Sequence, residues 1–88
     1  MFKVRLTPRN AGSTRNRKRM ISEETFNNRE AARRWIIQNM AEQEKTAWRQ
    51  IGLVDVRRAE NGDKFTMEIR PALRLYKGLV LTYEIMEV

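Results

Sequence analysis

The apolar positions along the chain switch from a period of two to a helical period and back again. In "FKVRLTP", Phe2, Val4 and Leu6 fall on one face and Lys3, Arg5 and Thr7 on the other. That alternation predicts a half-buried strand, ended by Pro8. A polar stretch follows, after which "RMISEETF" predicts a second strand antiparallel to the first. From Asn27 the spacing becomes helical. Ala32, Trp35, Ile36 and Met40 share a stripe, with Ala47 in line. Asn27 and Glu30 have the spacing of a capping box, which places the helix start at residue 28. The pattern carries the helix to about Glu44 and leaves open whether it runs on toward Gly52.

Alternation returns in "LVDVRR" and "KFTMEIRP", on either side of Asn61-Gly62, the preferred pair for a two-residue type I′ hairpin. In that register Val54 lies opposite Ile69, Val56 opposite Met67 and Arg58 opposite Phe65. Asp55 then faces Glu68, a like-charge conflict. "PALRLYKG" predicts a connection, and "LVLTYEIMEV" a last strand with Leu79, Leu81, Tyr83 and Ile85 facing in. Met86 and Val88 on its other side suggest an edge open to a partner. The order is β-β-α-β-β-β, a two-layer α+β fold with one helix packed on a mostly antiparallel sheet. There is no repeat or linker, so residues 1–88 read as a single domain.

Charge changes the picture at one place. The chain has 18 Lys and Arg against 11 Asp and Glu, a net charge of +7. Lys3, Arg5, Arg9, Arg15, Arg17, Lys18 and Arg19 all precede the first acid, Glu23. The remainder is balanced, with 11 bases (18 − 7) and 11 acids. Five of these seven cations fall in "TPRNAGSTRNRKRM", residues 7–20, a stretch otherwise made of turn formers. Charge serving only solubility would be spread with both signs mixed. Concentrated arginine suits phosphate oxygens, which its planar fork matches. Because alternating residues flank this stretch on both sides, it reads as a loop between strands. A solvated loop with no partner is the plainer alternative. Arg29 and Arg33, one turn apart on the helix, would extend the basic surface if the loop returned beside the helix start. Trp35 belongs to the core stripe. Trp48, among polar residues, is a candidate interface anchor.

The absences narrow the chemistry. With no cysteine and no histidine, disulfides, thiolate catalysis and the commonest metal ligands and general base are missing. The acids are scattered, and no phosphate-binding glycine loop or calcium-loop pattern occurs. The expectation is a binder and not an enzyme, with no catalytic residues, metal, cofactor or small-molecule substrate. "MFKVRLTPRN" has no apolar signal core, and no apolar run approaches membrane-spanning length. A cytoplasmic protein without membrane contact is expected.

The opening strand with "TPRN", the turn-rich loop, "ETF", the "NREAARRW" helix, the "NG" hairpin and the closing "YEIMEV" strand resemble small phage-encoded accessory proteins of the anti-CRISPR and host-takeover kind. The resemblance is one of size and architecture over the whole chain. It implies a binder of nucleic acid, or of a host protein that handles nucleic acid, working in the host cytoplasm. "ETFNNREAARRW" is also similar to the strand-to-helix join of the arm-DNA-binding domain of phage integrases. That family's three-strand lead-in is missing here, so its contact residues are not carried over.

Two functional expectations result. The first is a nucleic-acid-binding module, for DNA or RNA, in which the basic loop (residues 9–19) contacts phosphates with Lys3 and Arg5 behind it. The second is an inhibitor that docks on an acidic host or defence protein surface through the same loop and Trp48. The expected contact residues are Lys3, Arg5, Arg9, Arg15, Arg17, Lys18, Arg19, Arg29, Arg33 and Trp48.

Overall fold

The computed structural model describes residues 1–13, 15–72 and 77–88. Strand β1 (Phe2–Asn10) and the short β2 (Met20–Ile21) are followed by helix α1 (Arg29–Gln50). Then come β3 (Val54–Asn61), β4 (Lys64–Pro71) and β5 (Leu79–Glu87). The five strands form one antiparallel sheet in the order β2-β1-β5-β4-β3, with α1 on one face. This is the two-layer α+β arrangement that the sequence pattern predicts. Residues 73–76 of the expected connection lie outside the described residues.

The core forms where the period-two and helical patterns meet. Val4 and Leu6 of β1, Phe65, Met67 and Ile69 of β4, and Leu81, Tyr83 and Ile85 of β5 are buried against Ala32, Ile36, Met40 and Ala47 of the helix. Burying each large side chain contributes roughly 1.5–3 kcal/mol. Trp35 is half-buried and packs on this core, tilted against Phe26 with ring centres 6.2 Å apart. The Tyr83 hydroxyl, at the sheet centre, donates to Asn39 Oδ1 at 2.7 Å and so ties sheet to helix.

Several expectations need correction. The helix is capped by Asn28, whose Oδ1 accepts from the Ala31 N–H at 2.8 Å. With Ala31 at the third helical position there is no capping box. The helix extent that the pattern left open is the longer one, through Trp48 to Gln50, where the Gly52 N–H reaches the Trp48 carbonyl. Strand β1 continues past Pro8 to Asn10. The backbone of Phe2 and of Val4 bonds toward the side where β2 lies, to Phe26 and Ser22. By alternation the missing N–H of Pro8 falls on that side too, so the ladder to β5 loses nothing. The second strand is much shorter than "RMISEETF". Only Met20 and Ile21 pair with β1, and Phe26 makes an isolated bridge to Phe2.

The β3–β4 hairpin is shifted by two residues from the expected register. Asn61 pairs with Lys64, Val56 with Ile69 and Arg58 with Met67. The turn residues are therefore Gly62 and Asp63. Gly62 has φ +61°, and no described non-glycine residue has a positive φ. A type I′ turn needs positive φ at both central positions, whereas type II′ needs it only at the first, the place Gly62 takes. The shift keeps the same residues facing the helix. It also places Asp55 opposite Arg70 and Arg57 opposite Glu68, removing the like-charge conflict. The Asp63 carbonyl gains a bond from the Ile85 N–H at 2.9 Å. Finally, β5 is the central strand, so Met86 does not lie on a sheet edge.

Candidate functional site

The basic loop folds back along β1 as an extension of the sheet edge. Residues 10–13 make a tight turn in which the Ser13 N–H donates to the Asn10 carbonyl at 3.1 Å. Gly12, at the third position of this turn, has φ +80°, the conformation that a type II turn requires there. The Arg9 guanidinium closes the turn by donating to the Ser13 carbonyl at 2.6 Å. The Arg15 N–H donates to Ser13 Oγ. On the return, Asn16 bridges Arg9, and the Arg17 N–H donates to the Pro8 carbonyl at 2.7 Å.

The return path carries one extra residue. From Leu6 to Arg9 the outgoing strand takes three steps, while the return takes four, from Asn16 to Met20. The surplus behaves as a β-bulge, which interrupts the ladder and turns the edge away from regular pairing. Arg17, Lys18 and Arg19 lie on this bulged stretch. With Arg15 they are exposed.

The ion pairs set these cations apart from Arg29, Arg33, Arg57, Arg58 and Arg70, though Arg34 and Arg49, exposed on the helix, are outside the pairs as well. The described residues contain six pairs: Arg5–Glu84, Arg29–Asp63, Arg33–Glu60, Arg57–Asp55, Arg58–Glu44 and Arg70–Glu68. None of them involves Arg9, Arg15, Arg17, Lys18 or Arg19. Lys3 also makes none. Seven positive charges begin the chain, and Arg5 alone among them has a carboxylate partner among the described residues, at 3.7 Å, too long for a hydrogen bond.

The expected contact residues do not all come together. Lys3, Arg5 and Arg9 share the face of β1 turned away from the helix and run up to the basic edge. Arg29 and Arg33 do not join it. They sit at the helix start, beside Phe2 and the β3–β4 turn, whereas the loop lies at the far end of β1, roughly 23 Å along an extended strand from Phe2 to Arg9. Arg29 donates to Asp63 Oδ2 at 3.1 Å and lies 5.0 Å from the centre of the Phe2 ring. Arg33 grips Glu60 with two bonds, at 3.0 and 3.1 Å. These bonds raise the Arg33 pKa and hold the Glu60 carboxyl below its ordinary value. The partners Glu60 and Asp63 were not foreseen, because only the folded register brings the hairpin tip to the helix start.

Trp48 is 46% exposed in the last turn of the helix. It shares a flank with Glu44, which bonds Arg58 of β3 at 2.8 Å. The opposite flank, with Trp35, Asn39 and Gln43, lines a cleft of about 350 Å³ beside Leu6, Met20 and Ile21. Trp48 and the basic edge therefore lie on different sides of the molecule. Among the described residues no group of acids could hold a metal ion, and no helix is long and apolar enough to cross a membrane. The chain matches no family model, no curated protein and no solved structure.

Proposed function

We propose that this chain is a non-enzymatic nucleic-acid-binding module that grips phosphates with the basic edge made by the β1–β2 hairpin. One observation carries the reading. Arg15, Arg17, Lys18 and Arg19 sit together, are exposed and make no ion pair among the described residues, while Arg29, Arg33, Arg58 and Arg70 are joined to carboxylates and the unpaired Arg34 and Arg49 stand apart on the helix. Cations held close together with no local counter-charge repel one another, and a polyanion relieves that repulsion by releasing its own counterions. The turn at residues 10–13 and the Arg17-to-Pro8 bond order the backbone that carries them. Lys3 and Arg9 continue the positive surface along β1. Arg29 and Arg33 are given a structural role, bracing the hairpin tip.

Contacts of this kind position a nucleic acid without reading its bases. Among the described residues no aromatic side chain stands on the helix-free face of the sheet, so base stacking on that face is not part of the proposal. Binding is expected to be strongly salt-dependent and weakly sequence-specific. The test is fluorescence anisotropy with labelled duplex DNA, single-stranded DNA and RNA from ~50 to ~200 mM salt, beside a variant with Arg15, Arg17, Lys18 and Arg19 changed to Ser. A steep salt slope that flattens by about 0.9 units per lost duplex contact supports the reading. No binding at the lowest salt refutes it. The alternative, an inhibitor docking on an acidic protein surface, then becomes the leading account.

A further inference from the structure

The sheet has two edges, and they are built differently. The β2 edge is two residues long and bulged. The other edge, β3, is eight residues long and regularly paired with β4 throughout. Among the described residues its outer row of backbone groups has no partner strand. The identity of that row can be worked out. The Leu53 carbonyl accepts from the Ala72 N–H, and Asn61 pairs with Lys64 across the two-residue turn. Odd-numbered residues therefore bond toward β4, and the backbone of Val54, Val56, Arg58 and Glu60 points outward. A long regular edge of this kind is a template for another strand unless its side chains forbid it.

The side chains select the strand. We propose that β3 pairs with β3 of a second copy of this chain, antiparallel about a two-fold axis through Val56. In that register Val56 meets Val56, and Asp55 faces Arg57 of the second copy, twice over. These are non-hydrogen-bonded pairs, in which side chains approach most closely. Both groups are available, since each is 67% exposed and they touch each other along the strand at only 3.8 Å. Moving the axis to Arg57 or to Asp55 would place like charges directly opposite, which is unfavourable. Arg58 and Glu60, the other charges on the edge, are already engaged by Glu44 and Arg33 of their own helix.

The ground beside the edge fits the same occupant. Ile37 is 39% exposed and Trp48 46%, at helical spacing on the flank that overhangs β3, and Leu53, just before the strand, is 65% exposed. A two-fold axis normal to the sheet brings both helix flanks together over the joined strands. It leaves the basic edges at the two far ends of a continuous sheet, clear of the interface.

The experiment is sedimentation equilibrium without nucleic acid, so its outcome is independent of the phosphate-binding reading. The natural protein is expected at twice the 10.5 kDa chain mass. Asp55→Arg and Arg57→Asp should each weaken the dimer by about tenfold or more, because both copies of the pair become repulsive. The fourfold variant D55R/R57D/E68R/R70E restores opposite charges across the two-fold axis and keeps them between β3 and β4, so it should regain the dimer, an outcome that an unfolded chain could not give. A protein that stays at the chain mass up to ~1 mM overturns the proposal. So does a dimer that neither single change weakens, or a fourfold variant no stronger than the singles.

Discussion

The two hairpins of this protein use arginine in opposite ways. In the β3–β4 hairpin the arginines have carboxylate neighbours. Arg57 and Arg70 alternate with Asp55 and Glu68 on one face, Arg58 reaches Glu44, and the tip residues Glu60 and Asp63 hold Arg33 and Arg29. A two-residue turn closes it, and the pairing is regular from end to end. In the β1–β2 hairpin, Arg15, Arg17, Lys18 and Arg19 have no such neighbours among the described residues, and the return strand is bulged. Both hairpins pack on the same helix, so burial does not explain the difference. Arginine whose charge is satisfied within the fold braces it, while arginine left unpaired on an ordered edge is available to something outside.

The largest expected effect falls on what the two hairpins share. Ile36 is fully buried at the centre of the helix face. Ile36→Ala should cost about 2–5 kcal/mol in denaturant unfolding, through lost burial and a residual cavity. If the two hairpins instead unfolded in separate transitions, the single shared core would be refuted. Next comes the four-site serine variant of the basic edge. It is expected to bind duplex DNA at least ~10-fold more weakly at ~100 mM salt while keeping its unfolding midpoint. Equal binding would erase the functional contrast between the hairpins.

The tight turn gives a third test. Gly62→Ala forces a Cβ into the left-handed region, which should destabilise by about 1–2 kcal/mol. An unchanged midpoint would mean that the turn is not set by Gly62. The Tyr83–Asn39 bond gives a fourth, of about 1 kcal/mol for Tyr83→Phe. Burial pushes the Tyr83 phenol well above its ordinary value, with Arg58 opposing weakly. A proton held more tightly in the folded state contributes stability that is complete below the unfolded pKa of about 10 and is lost as pH rises beyond it. Alkaline unfolding curves should therefore fall off above about pH 10 in the natural protein and less steeply in Tyr83→Phe. The smallest effect separates single arginines. Arg17→Ser should lower the salt slope by about one unit. Arg33→Gln, which removes a bond to Glu60, should leave the slope unchanged.

Much of the fold was legible because local pattern and tertiary need coincide. The alternation of Val4, Leu6, Phe65, Met67, Leu81 and Tyr83 and the spacing of Ala32, Ile36 and Met40 mark the faces that become the core. Face assignment survived even where register did not, since a shift of two residues leaves every side chain on its side. The errors lie at ends and pairings. Asn27 and Asn28 are both acceptable caps by residue type, and the choice between them depends on where the chain enters from Phe26. Pro8 stays within β1 because its missing N–H faces away from β5, which no sequence pattern reveals.

The charge segregation was legible too, but not its meaning for each residue. Arg29 and Arg33 look as available as Arg15 and Arg17 when only neighbours in sequence are counted. The sequence by itself determined the α+β order, the faces of the strands and helix, and the confinement of the net charge to the first nineteen residues. These follow from residue type and spacing, which act locally. The tertiary structure decided the strand order, the hairpin register and which cations keep a partner. Those depend on carboxylates such as Glu60 and Asp63, 27 and 34 residues away from the arginines they hold, and only folding brings them within hydrogen-bond reach.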